Sequence, residues 1–207
     1  MSRRDREKWD KRYRDGAYAA RTHPSALLEE WMPKLVTDTA VPRAIDLACG
    51  LGRNSLYLAR QGWRVIAVDI STVALESLAA QASAEELPID CVQMDLENGQ
   101  PWPKLIGAGS LSDLAIMMRY TNLPLIERLR DLLKPGGYLL AEAHRITDAD
   151  VAGPRGKRFR VAPGQLRAAA NGYELIDYRE GIVKDPDGRR SDLAQMLVRR
   201  PMTPAAG

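Results

Sequence analysis

Apolar positions along this chain follow two periods, and the two alternate. Dense apolar runs occur at 44–47, 65–68, 89–93, 113–118, 138–143, 173–179 and 191–199, and between them apolar residues return every three to four positions. The first pattern predicts strands and the second helices. After Asp113, the stretch Leu114-Ala115-Ile116-Met117-Met118 is apolar without alternation, as expected of a strand covered on both faces. Helices are expected over 4–14, where Trp9 and Tyr13 stand four apart on one face, and from Pro24 through Met32. Others are expected from Arg53 to Arg60, from a Ser71 cap to Ala82, from Leu123 to Leu133, where Lys134-Pro135-Gly136-Gly137 stops it, and from Gln165 to Asn171. Pro101, Trp102 and Pro103 exclude a regular strand in 97–109. Residues 145–164, rich in Gly, Pro, Arg and Lys, read as a mobile flap; Pro186-Asp187-Gly188 reads as a hairpin turn, and 201–207 as a frayed tail.

The run Ala44-Ile45-Asp46-Leu47 breaks into Ala48-Cys49-Gly50-Leu51-Gly52 just before the helix at Arg53. A strand, a glycine turn and a helix make a nucleotide-binding corner. Gly50 and Gly52 allow positive φ and carry no Cβ, so a ligand can lie against the backbone in front of the helix's free amides. Position 55 is serine, where a third glycine would complete the dinucleotide fingerprint. The second strand ends in Asp69, placed to hydrogen-bond both hydroxyls of a ribose. Dinucleotide enzymes share that arrangement, and Asp46 discriminates against them: just before the turn it would repel a diphosphate and favour an ammonium or sulfonium group.

Composition narrows the classes further. The 207 residues suit one α/β domain with a buried core and are few for two, and 45% apolar with 28% charged residues excludes wholesale disorder. The net charge is only +3, and the basic residues of 2–14 are interleaved with Asp5, Glu7 and Asp10. That is the pattern of a solvated helix face, so no nucleic-acid partner is expected. There is no run of 18 apolar residues and no signal-peptide core, so no membrane partner is expected and the protein is expected to be cytoplasmic. Cys49 and Cys91 lie far from either histidine in sequence, which speaks against a zinc site and suits a reducing compartment. Cys49 reads as a small residue lining the pocket rather than as a nucleophile. Nothing in the composition separates a monomer from a dimer.

Asp46-Leu47-Ala48-Cys49-Gly50-Leu51-Gly52, then Asp69, then Leu133-Lys134-Pro135-Gly136-Gly137-Tyr138-Leu139 stand in the order of three motifs of the class I S-adenosylmethionine-dependent methyltransferases. The chain resembles that family over roughly residues 7–200, and in detail its small-molecule branch of tellurite-resistance-type and thiopurine-type enzymes. The resemblance implies an α/β, Rossmann-like sheet of seven mostly parallel strands with a C-terminal antiparallel hairpin and helices on both faces. It implies a single domain, 1–207, with an N-terminal helical lid at 1–34, although helix 4–14 could equally dock on the sheet edge. It also implies S-adenosyl-L-methionine as cofactor and S-adenosyl-L-homocysteine as product. The cofactor residues would be Trp9 and Tyr13 of the lid, Asp46, Ala48, Cys49, Gly50, Gly52 and Asn54 of the corner, and Asp69, Ile70 and Ser71 after the second strand. Asp95 and Leu96 would meet the adenine, with Asp95 as a plain turn cap the alternative, and Met118 and Arg119 would close the site.

Ligands of an open parallel sheet bind beyond the carboxyl ends of its strands, which brings Arg119 and Tyr120 to the reaction centre. The fourth strand ends Met118-Arg119-Tyr120-Thr121, without the Asn/Asp-Pro-Pro-aromatic sequence of enzymes that methylate base amines, and no Pro-Cys pair is present for attack on a pyrimidine carbon. The expected partner is a small-molecule acceptor, which the resemblance leaves open and for which a thiol or a chalcogen oxyanion is one reading. Arg119, His144 and Arg145, with Arg158 and Arg160 behind them, are the candidates to hold its anion. His23 is an outside candidate that reads equally as a surface or capping residue. Two other functions share these features: a nicotinamide-dependent oxidoreductase, and a non-catalytic module that binds the cofactor or its demethylated product.

Overall fold

The computed structural model describes residues 3–106 and 111–202. Its strands are β1 (Arg43–Leu47), β2 (Arg64–Asp69), β3 (Ile89–Gln93), β4 (Ser112–Met118), β5 (Leu133–His144), β6 (Glu174–Lys184) and β7 (Arg190–Arg199). They form one sheet in the order β3-β2-β1-β4-β5-β7-β6. The first five strands are parallel, and β7 runs antiparallel to both its neighbours. Strand order reverses between β1 and β4, which opens a crevice there above the carboxyl ends of the strands.

The apolar runs explain the layers. Every residue of β4 is buried, in keeping with the unbroken apolar run from Leu114 to Met118. Its Ala115 and Met117 face one core and its Leu114, Ile116 and Met118 the other. Helices α1 (Arg3–Arg14), α2 (Ala26–Trp31), α3 (Arg53–Arg60), α4 (Thr72–Ala84), α5 (Leu123–Leu129) and α6 (Gln165–Ala168) supply the covers. Leu27 and Leu28 of α2, Leu58 of α3 and Leu78 of α4 pack on one face; Leu125, Ile126 and Leu129 of α5 and Leu166 of α6 pack on the other. Helices thus lie on both faces. Burying a side chain of this kind is worth about 1.5–3 kcal/mol, so these stripes, more than helix propensity, hold the short helices in place.

Several boundaries differ from the sequence expectation. The helix expected over 123–133 stops at Leu129, continues as a 3₁₀ turn over Arg130–Leu132, and gives way to β5 at Leu133, whose side chain is fully buried and which pairs with Ser112. Lys134-Pro135-Gly136-Gly137 therefore lies inside β5 as an irregularity rather than ahead of it, with Gly136 at φ +78°. The helix expected to reach Asn171 ends at Ala168, and β6 runs on to Lys184 beside β7. The flap is tied down: Arg145 bridges to Val161, Ala152 to Ser191, and Arg160 donates to the carbonyls of Pro154 and Arg145. Of the expected tail, residues from 203 onward lie outside the described residues, as do 107–110 of the connecting segment.

Candidate active site

The crevice is a cavity of about 1140 Å³, walled by the glycine corner, helix α1, the end of β4, the end of β5 and the flap. One end is acidic. β1 delivers Asp46, which is 1% exposed, and β2 delivers Asp69. Asp69 accepts hydrogen bonds from the amides of Gly50 (2.8 Å) and Ser71 (2.9 Å), so the ribose-acid position also fixes the corner. Burial pushes the Asp69 carboxyl up against these hydrogen bonds. It pushes Asp46 up to about 7, although the Ser55 hydroxyl, donating at 2.6 Å, opposes the shift. Serine at position 55 is thus the anchor of the Asp46 carboxylate, a role that its reading as a missing glycine did not foresee.

Helix α1 lies over this end. Tyr13, half-buried, packs against the corner: a Cβ built on Gly50, whose φ is +56°, would stand 2.8 Å from the Tyr13 hydroxyl. Burial, then Asp69 and Cys49, push that hydroxyl well above the usual phenol range. Asp10 takes the Ser71 hydroxyl at 2.6 Å and reaches the Val73 amide at 3.4 Å, while Ser71 accepts from the Ala74 amide. Helix α1 is therefore fastened to the N-terminus of α4.

The opposite end is cationic. Arg21, Arg119, Arg158, Arg160 and Arg189 line it, with His144 among them, and Arg53 stands between the two ends, close enough to act on both Asp46 and Arg119. Arg119, at φ +59°, donates Nε to Glu142 at 2.7 Å and both terminal nitrogens to Asp185, tying β4 to β5 and to the β6–β7 turn. Glu142 is held in turn by Gln195, which accepts from Arg179, whose guanidinium pairs with Glu30 of α2. Arg21 and Arg189 share Asp187 at 3.5 Å each. Arg53 spends its guanidinium on the His23 carbonyl and the Ser25 hydroxyl, and Arg160 on two backbone carbonyls. Among the described residues, neither meets a carboxylate within ion-pair distance.

Of the residues singled out in the sequence, Trp9, Tyr13, Asp46, Ala48, Cys49, Gly50, Asn54, Asp69, Ile70, Leu96, Met118, Arg119 and His144 line one cavity wall. Four residues do not. Gly52 stays behind the wall, where a Cβ would meet Leu78 at 2.3 Å, so it is glycine for packing and for its φ of +77°. Ser71 serves α4 and Asp10. Asp95 caps the turn at the Glu97 amide and is not a lining residue. Arg145 turns away to Asp192 and Glu180. His144 does line the wall, but burial and then Arg119, Arg160 and Arg21 lower it to about 4, so it is neutral at pH 7 and is not the expected cation. Cys49 is also held protonated by burial and by the two aspartates. Arg21, Arg53, Arg189 and Asp185 were missed; they come from separate segments, and nothing in their local sequence marks them.

The fold is that of the class I S-adenosylmethionine-dependent methyltransferases. More narrowly, the chain belongs to the family described as tellurite resistance protein TehB, whose model matches residues 13–193. It is similar to the probable S-adenosyl-L-methionine-dependent methyltransferase TehB of Haemophilus influenzae, at 27% identity over 164 residues, covering 76% of this chain and 57% of that protein. It is also similar to hemagglutinin 1 of Eikenella corrodens, at 26% identity over 200 residues, covering 89% of this chain and 63% of that one. The crystal structure of TehB from Haemophilus influenzae shares the fold, with a TM-score of 0.65 at 24% identity over 84% of this chain and 61% of that one. The chain thus spans about three-fifths of the length of these relatives.

Proposed function

We propose that the chain transfers a methyl group from S-adenosylmethionine to a small anionic acceptor. The observation that carries this reading is the pairing, on one cavity wall, of two buried carboxylates at the glycine corner with a cluster of guanidiniums that begins at Arg53 and extends to the flap. The acidic end fits the cofactor on its own terms. A carboxyl held near neutrality by burial, as Asp46 is, gains most from a cationic partner, and Gly50 leaves room where a side chain would close the corner. Asp69 would hold the ribose, Asp46 and the corner backbone the amino-acid end, and Ile70, Met94 and Leu96 the adenine faces; Tyr13 and Trp9 would cover them.

When bound, the cofactor supplies an activated methyl group, and the protein's contribution is alignment and exclusion of water. Holding two reactants in line is worth about 7–11 kcal/mol at best. The guanidinium end draws an anionic acceptor to the face opposite the acids, and Arg53 and Arg160 have charge to give it. The oxidoreductase reading is disfavoured by Asp46, which opposes a diphosphate, and a purely sensing module has no use for a second, cationic chamber.

The test is calorimetry followed by turnover. S-adenosylhomocysteine should bind and raise thermal stability, by about 2.7 kcal/mol at 100 times its dissociation constant, and NAD should do neither. Methyl transfer to anionic acceptors, and none to cationic amines, should follow. Uptake of NAD in preference to S-adenosylhomocysteine would end this reading.

A further inference from the structure

The cationic chamber contains one group that anion binding leaves idle. His144, the last residue of β5, is 7% exposed and lines the cavity, and its Nδ1 is buried without a partner. The flap backbone closes on the ring: a Cβ built on Gly153, at φ +139°, would stand 2.7 Å from Nδ1 and 2.9 Å from Cε1. The charged groups that act on it come from separate elements: Arg119 at the end of β4, Arg160 in the flap, Arg21 in the segment between α1 and α2, and Asp185 at the β6–β7 turn. A neutral imidazole in that company is a poor anion holder, and it becomes a proton acceptor only when a bound anion offsets the guanidiniums around it.

We infer that His144 takes the proton from the acceptor's nucleophile while Arg53 and Arg160 hold an anionic group elsewhere on the same molecule, which makes the acceptor a small carboxylate that bears a protonated thiol. The inference rests on the methyl-transfer reading and narrows it. A bare oxyanion has no proton to lose, and a protonated amine would be repelled by the guanidiniums. A thiol is largely neutral at pH 7. In the step, a sulfur lone pair of the acceptor forms the bond to the methyl carbon, the methyl–sulfonium bond breaks with its electron pair left on the donor's sulfur, and the thiol proton passes to the imidazole. The acceptor's carboxylate, by offsetting the guanidiniums, makes the imidazolium affordable only when the right molecule is bound.

The experiment compares the full chain with His144→Gln on two carboxylate probes. One is 3-mercaptopropionate, whose thiol is protonated at neutral pH; the other is 5-thio-2-nitrobenzoate, which is already a thiolate. The loss of kcat/KM on the thiol should exceed the loss on the thiolate by about 100-fold. The pH profile on the thiol should move to the acceptor's own ionisation in the variant. Independently of turnover, the imidazole resonance of His144 should shift its titration midpoint upward when propionate is added to the S-adenosylhomocysteine complex. Equal losses on both probes, no loss on either, or an imidazole that ignores propionate would overturn the assignment. So would a wild type that binds S-adenosylhomocysteine yet methylates neither probe. Failure to bind S-adenosylhomocysteine would instead strike the methyl-transfer reading, and this assignment with it.

Discussion

The acidic and cationic ends of the cavity are built by different means. The acidic end comes from two consecutive strand–helix units, and much of what it presents is backbone: the Gly50 and Ser71 amides on Asp69, and the left-handed turns at Ala48 and Gly50. The cationic end is made of side chains drawn from six segments, with Arg119 as the hub and Glu142 and Asp185 as its counter-ions. Backbone geometry admits one ligand shape and tolerates little change. A side-chain network can be rewired one residue at a time, so it is the end at which acceptor choice can vary between related chains.

That contrast can be tested by breaking each end in turn. The largest effect should come from Arg119→Ala, which leaves Glu142 and Asp185 buried without a cation; chemical denaturation should show a loss of about 3–5 kcal/mol. A variant as stable as the parent would mean that water already serves those carboxylates. Asp69→Ala should leave the fold standing and weaken S-adenosylhomocysteine by about 2–3 kcal/mol, near 100-fold, in calorimetry. Undiminished affinity would remove the ribose-acid role.

A pH effect of intermediate size should follow from Asp46. Its folded pKa of about 7 lies above the unfolded value, so the native state holds the extra proton between the two. The stability linked to that proton is therefore present at low pH and falls as pH rises through this window. A cationic ligand needs the ionised form, so affinity should rise about tenfold from pH 6 to pH 8 with release of a proton, read from calorimetry in buffers of different ionisation enthalpy. Ser55→Ala should move that midpoint upward; a flat profile would count against the cationic ligand. The smallest effect should come from Asp10→Ala, about 1 kcal/mol in thermal unfolding, because it removes a cap from α4 and leaves both ends of the cavity intact.

The same contrast explains what the sequence could reveal. The acidic end was legible because its parts are contiguous: the strand run, the glycines and Asp69 sit within 25 residues, at spacings that backbone geometry dictates. The sheet was legible because each strand announces itself locally, and β4 does so most clearly. The cationic end was not, because Arg53 joins Arg160 only once the flap is folded, and an arginine that faces Asp192, as Arg145 does, looks the same in sequence as one that faces the cavity. His144 lines the cavity but was misread in charge, since its neutrality depends on burial and on three arginines up to 123 positions away. Local patterns report backbone constraints; the charge state of a side chain depends on neighbours that only the fold brings together.

Asp10 sits on α1, yet the helix it completes is α4. Deleting the first dozen residues, or displacing them with a bulky affinity tag, would therefore do more than uncover the chamber. It would free the opening turn of α4 to fray beside Ser71, whose amide steadies Asp69. Loss of nucleoside affinity in such a truncated protein would report a damaged floor as much as a missing roof, and the point substitution Tyr13→Phe is the cleaner way to tell the two apart.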